Sequence, residues 1–234
     1  ELAFRGVERT KLRETFRRVQ DLERLVARAA LGTAGPRELA AIGTSLDAVP
    51  RARTIAGAFQ APLVRSLAAA LDDLPDLRAR IAATLVDDPP ATARDGGCIR
   101  PGVDRELDEL RAVSRETRQR IAEMEAAERA RTGIASLKIR YNRVFGYYIE
   151  VSKANLGAVP PDYRRKQTIA GGERFVTPAL KEYEDRVLGA DERILEREQE
   201  IFEELRRAVA AEAPRIQETA RALATLDALA GLAD

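Results

Sequence analysis

Eight cationic side chains, Lys138, Arg140, Arg143, Lys153, Arg164, Arg165, Lys166 and Arg174, fall between Ile134 and Pro178. Three carboxylates, Glu150, Asp162 and Glu173, oppose them, so this stretch carries +5 in a chain whose total is +1, and the remainder carries −4. Guanidinium and ammonium groups gathered this way bind anions, phosphate above all, through charge-assisted hydrogen bonds. Six of the eleven aromatics, Tyr141, Phe145, Tyr147, Tyr148, Tyr163 and Phe175, lie among them. Bond-making chemistry has less to work with. The chain has no histidine and a single cysteine, Cys98, which excludes His acid–base catalysis, His- or Cys-built metal centres and an internal disulfide. Neither GxxxxGK[ST] nor GxGxxG is present to cradle a nucleotide. Acid pairs such as Asp191-Glu192 and Glu203-Glu204 read as solvated helix faces in a chain with 38 acids. Cys98 reads as a small buried residue beside a glycine turn.

The cations need rigid elements to hold them. Leu137, Ile139 and Tyr141 alternate with Lys138, Arg140 and Asn142, the period of a half-buried strand. Residues 142–146 supply a turn and 146–151 a second strand. A loop with Pro160-Pro161 follows, then strands at 166–170 and 173–177 around a Gly171-Gly172 turn. Tyr147, Tyr148 and Phe175 read as packing for this small sheet rather than as base-stacking platforms. On one side, Val103, Leu107, Leu110, Ser114, Thr117, Ile121 and Met124 keep heptad spacing. On the other, Thr177-Pro178 reads as an N-cap and first helical residue. Leu180, Tyr183, Val187, Ala190, Ile194, Ile201, Leu205 and Val209 then carry a helix to about residue 213. These helices, roughly 43 and 54 Å long at 1.5 Å per residue, should pack antiparallel as a stalk. If the first strand leads away from that stalk, both tight turns project farthest from it and loop 152–165 lies near it.

Residues 10–85 show short helical patterns, with breaks at 32–36 and a start at Pro36; residues 87–97 read as an extended loop. The expected fold is mainly α. A helical bundle and outgoing helix occupy 1–133, a four-stranded antiparallel β domain 134–178, and a returning helix 179–234. No apolar run approaches the ~20 residues of a membrane span. No secretory leader opens the chain, and without an initiator methionine it reads as part of a longer protein.

The run RTGIASLKIRYNRVFGYYIEVSKAN, followed by VPPDYRRKQTIAGGERFVTPALKEYEDRVLGA, resembles the MutS family of DNA mismatch-repair proteins. It is similar to the clamp domain of that family and the lever helices that carry it; VQDLERL, DGGCI and DRELDEL extend the resemblance over nearly the whole chain. The resemblance implies a clamp that grips the duplex DNA backbone without reading bases, a second subunit that closes around the DNA, and levers that connect the grip to distant ATPase domains. It implies a bacterial, cytoplasmic, nucleoid-associated protein in which ATP and Mg²⁺ belong to the remaining domains, with no cofactor here. The candidate DNA contacts are Asn142, Arg143 and Val144 in the first turn and Gly171, Gly172 and Arg174 around the second. Lys138 and Arg140 steer from behind. Where the family often has a Lys-Asn-Ala-like triplet, this chain has Ala170-Gly171-Gly172, which leaves backbone N–H groups as donors there. The Arg164-Arg165-Lys166 run reads equally as a solvated or acid-paired loop and as a phosphate contact. The alternative function is a structural helical scaffold whose β insert docks a protein partner; no membrane or small-molecule substrate is indicated.

Overall fold

Prolines and short polar caps set where the first helices begin. The computed structural model describes residues 1–233, which divide into two compact units, Glu1–Val103 with Arg197–Asp234 and Asp104–Glu196. The first unit contains α1 (Gly6–Phe16), α2 (Leu22–Ala30), α3 (Pro36–Leu46), α4 (Val49–Gly57), α5 (Pro62–Ala69) and α6 (Pro75–Thr84). Proline stands at the first or second position of α3 to α6, where its missing N–H would have no helical partner anyway. Pro50 sits in the first turn of α4, where it is tolerated. Asp21 caps α2 by accepting the Arg24 N–H at 3.0 Å. Leu12, Leu25, Val26, Leu39, Ile42, Leu46 and Phe59 fill the core of this unit.

Leu74 lies buried at φ 40°, a left-handed conformation that costs a branched residue roughly 1–2 kcal/mol. Asp72 holds it there. Its carboxylate accepts the Leu74 N–H at 3.0 Å and pairs with Arg215 at 2.6 Å, while its backbone N–H and C=O both meet the Thr219 hydroxyl. Partial burial opposes the charge, but the Leu74 N–H and Arg215 outweigh it and hold the carboxyl below the ordinary aspartate value. A depressed pKa stabilises the fold above the unfolded-state value and stops doing so as pH falls through the folded-state value. Asp72→Ala should therefore cost about 2 kcal/mol in thermal unfolding at neutral pH. The gap from the parent protein should close once the solution is acid enough to protonate Asp72 in the fold.

The second unit is built on α7 (Arg105–Thr132), about 42 Å long, and the first part of α8 (Pro178–Ala211), about 28 Å to Glu196. Asp104 caps α7 through the Leu107 N–H at 2.8 Å, and Thr177 caps α8 through the Leu180 N–H at 3.1 Å. Leu107, Leu110, Ser114, Thr117 and Ile121 form the buried stripe of α7, as the heptad requires. Ser114 Oγ donates to Asp191 at 2.7 Å and Arg193 pairs with Glu106 at 3.3 Å, which sets the two helices antiparallel. Asp191 is thus a packing residue, not only a solvated acid. Glu212 ends α8, and α9 (Ala213–Leu232), with Pro214 in its first turn, packs on α1, α2 and α5 in the first unit. Among the described residues no helix is long and apolar enough to cross a membrane.

Between α7 and α8 lie β1 (Lys138–Asn142), β2 (Gly146–Ser152), β3 (Arg164–Ile169) and β4 (Gly172–Val176), in the antiparallel ladder order β1-β2-β4-β3. Ile149, Val151, Tyr163 and Phe175 pack with Ile121, Leu180 and Val187 in one core. The expectation that both tight turns share the far end is overturned by the register. Asn142 pairs with Gly146 at one end of β2, whereas Gly172 pairs with Ser152 at the other. The connection between β2 and β3 is long enough to cross the sheet, so β3 runs parallel to β2 and β4 returns between them. Nor does β1 lead straight away from the helices. Glu125 of α7 accepts the Ile139 N–H at 2.7 Å and Glu184 of α8 accepts the Tyr147 N–H, so the β1–β2 hairpin lies across the pair. The 153–163 connection does lie against α7, with Tyr163 Oη donating to Glu128 at 2.6 Å and Arg131 pairing with Asp162 at 3.1 Å. Burial, with the Glu128 hydrogen bond behind it, pushes the Tyr163 phenol up, so it stays neutral and keeps donating.

Candidate nucleic-acid interface

Strand alternation decides which side chains share a face. Ile139 pairs with the fully buried Ile149, so Lys138, Arg140 and Asn142 project from the opposite side of β1. Tyr148, Glu150 and Arg174 occupy that same outer face through the pairs Arg140↔Tyr148, Lys138↔Glu150 and Glu150↔Arg174. Arg174 is woven into this surface. Its guanidinium lies 4.4 Å over the Tyr148 ring, Nη1 donates to Gln167 at 2.9 Å and Nε stands 3.6 Å from Glu150. With its side chain 20% exposed, Arg174 covers Tyr148 and has little left to offer a ligand. By contrast, Lys138, Arg140, Arg143, Lys153 and Arg164 are exposed, and none pairs with a carboxylate among the described residues.

The first turn is tightly built around two free side chains. Asn142 Oδ1 accepts the Val144 N–H at 2.8 Å, which closes the turn from within. Lys166 Nζ donates to the Phe145 carbonyl at 2.8 Å. Gly146 takes φ 72°, and a Cβ there would stand 2.1 Å from Glu184 Oε2, so this position requires glycine twice over. Arg143 and Val144, the latter 81% exposed, are left projecting. The Lys166 bond also brings the Arg164-Arg165-Lys166 run to this end of the sheet. The sequence could not place that run beside the turn, because the crossover that carries β3 there leaves no local signature.

At the opposite end the two-residue turn is Ala170-Gly171, with Gly172 already in β4. Neither glycine uses a positive φ. A Cβ on Gly171 would meet nothing within 4 Å, whereas one on Gly172 would lie 2.1 Å from the Val151 carbonyl oxygen. Gly172 is therefore buried strand-packing glycine, and Gly171 is the exposed member of the pair. The Gly171 carbonyl is occupied by the Lys153 N–H at 3.1 Å. Phe175 lies in the core and Tyr147 packs half-buried against it, whereas Tyr148 is buried on the outer face beneath Arg174.

Two acids of α8 are interior. Glu184 is 3% and Glu198 1% exposed. Glu184 receives the Tyr147 N–H and the Lys181 ammonium; Glu198 receives the backbone N–H groups of Gly97 and Cys98, and Cys98 is itself buried. A signal existed for both. Glu184 stands four residues after Leu180 and three before Val187, on the buried stripe. The stripe's gap between Ile194 and Ile201 is filled by Glu198, after which burial follows Phe202, Leu205 and Val209. Buried carboxylates persist only where hydrogen bonds replace water, and here they tie helices to backbone. The residues present do not fit ATP or Mg²⁺: there is no nucleotide loop, and among the described residues no group of three His, Cys, Asp or Glu side chains could hold a metal.

Fold and site thus define a mainly helical protein that carries a cationic four-stranded β module on an antiparallel helix pair. The model of MutS family domain IV matches residues 102–193, nearly the bounds of the second compact unit. The DNA mismatch repair protein MutS of Symbiobacterium thermophilum is 50% identical over 234 residues, all of this chain and 27% of that protein. Those of Solibacter usitatus and Myxococcus xanthus are each 48% identical over 233 residues, 100% of this chain and 27% and 26% of theirs. The chain belongs to the MutS family, and it spans about a quarter of the length of the curated relatives it matches.

Proposed function

We propose that this chain is a non-enzymatic lever and clamp that grips the duplex DNA backbone without sequence specificity. In the longer protein, acting in the bacterial cytoplasm at the nucleoid, its helices would couple that grip to ATPase domains elsewhere, and a second subunit would close around the DNA. The observation that carries the proposal is the set of exposed, carboxylate-free cations on one sheet face and its adjoining end: Lys138, Arg140, Arg143 and Arg164. Side chains without acidic partners keep their whole charge for an incoming phosphate. Held on a sheet, they contact backbone oxygens and position the protein without discriminating bases. Lys166 joins them at the same end. Asn142 shapes the turn, Val144 fills its tip, and Gly171 leaves a narrow approach at the far end; Gly172 and Arg174 serve by holding the sheet.

The salt dependence of binding tests this. Each phosphate contact contributes about 0.9 to the slope of log affinity against log salt on duplex DNA. In the full-length protein, Arg143→Ala and Arg164→Ala should each lower that slope by about one unit and weaken matched duplexes of unrelated sequence equally. Unchanged slopes and affinities in both variants, with a salt-resistant protein complex formed through the β module, would instead support the docking alternative.

A further inference from the structure

The buried carboxylate of Glu184 has a place in the molecule that stability alone does not require. It sits on α8, yet its hydrogen-bond partners are the Tyr147 N–H, at the foot of the first turn, and the Lys181 ammonium, one helical turn before it. Lys181 is in turn 3.1 Å from Asp185. Gly146 admits the carboxylate because it has no Cβ. The rest of the turn is equally constrained: Asn142 closes it through Val144, and Lys166 holds the Phe145 carbonyl. Three bonds thus hold the turn, and one of them ends on a helix. Only the side chains of Arg143 and Val144 face outward.

From this we infer that Glu184 is a positioning residue: it holds the Arg143 turn in register with α8, so that a phosphate bound at Arg143 and the first turns of α8 are energetically linked. The inference rests on the proposed DNA contact at Arg143. A phosphate that pulls on Arg143 loads the turn, and the Glu184–Tyr147 bond beside Gly146 passes that load to the helix. Water cannot substitute for the bond, since the carboxylate is almost fully enclosed. Replacing Glu184 by glutamine keeps the shape but removes the charge that binds Lys181 and strengthens the bond to the amide.

A double-mutant cycle in the full-length protein separates positioning from mere support. Arg143→Ala is expected to weaken duplex binding about tenfold, the value of one charge-assisted hydrogen bond. Glu184→Gln is expected to produce a similar loss and a similar fall in salt slope, although it touches no DNA. The double variant should be no weaker than Arg143→Ala alone. Hydrogen exchange should show duplex DNA slowing the amides of Tyr147 and of α8 residues 181–185 in the parent protein but not in Glu184→Gln. If Glu184→Gln fails to fold, Lys181→Met, which removes one partner of the carboxylate, takes its place in the cycle with a smaller effect in the same direction. Additive losses, or a Glu184→Gln protein with parental affinity and slope beside a weakened Arg143→Ala, would overturn the positioning role and leave the DNA contact standing. If Arg143→Ala itself binds like the parent, the contact at that turn fails and the positioning role with it.

Discussion

Reversing Lys138 and Arg140 together to glutamate should weaken duplex binding by the full-length protein about a hundredfold near 0.1 M salt. Each reversal removes one favourable phosphate interaction and installs a repelling one, a change of about 1.4 kcal/mol or tenfold per position. The two side chains project from the same strand face, about 6.7 Å apart along the strand, so in the proposed grip they would meet neighbouring phosphates. The cost to the fold should be small, because both are exposed and neither forms an ion pair with a carboxylate among the described residues. Cross-strand Glu150 faces Lys138, so the reversal also sets like charges opposite each other, a destabilisation of a few tenths of a kcal/mol. The loss should fall most steeply at low salt and shrink as ions screen both states. A variant that melts like the parent and binds duplex with parental affinity would remove this face from the interface.

Gly146→Val should destabilise the β module by about 4 kcal/mol. A branched residue forced to φ 72° costs roughly 1–2 kcal/mol. Its Cβ would also have to displace the Glu184 carboxylate, which leaves a buried acceptor and the Tyr147 N–H poorly bonded for about 1–3 kcal/mol more. Gly171→Val supplies the contrast. That position has open space and no left-handed backbone, so it should melt within about 0.5 kcal/mol of the parent. Equal losses at the two glycines, read from thermal unfolding or from exchange rates of the β2 amides, would contradict this account of the turn.

Much of this architecture was legible because its signals are local. The heptad from Leu107 to Ile121 and the Thr177-Pro178 cap each depend on neighbours in sequence, and each is present in the fold; the β1 alternation holds from Leu137 to Arg140 and ends at Tyr141, which is 49% exposed. The glycine pair at 171–172 marked a hairpin correctly, but only the paired strands reveal that Gly172 is the residue that cannot carry a side chain. Glu184 carried a local signal as well, since its spacing from Leu180 and Val187 puts it on the buried stripe of α8.

The sequence by itself determined that a cationic, aromatic β module stands between two long helices, because charge, strand period and heptad spacing are properties of short stretches. Only the tertiary structure decided which cations act together. Strand order depends on where an eleven-residue connection takes the chain, and that choice is settled by long-range packing against α7. It sent the two tight turns to opposite ends of the sheet and drew Lys166 to the Arg143 turn. It turned Arg174 onto Tyr148 and left Lys138, Arg140, Arg143 and Arg164 without acidic partners among the described residues. Local energetics cannot see those distances, so the cations were known from the sequence and the surface they share was not.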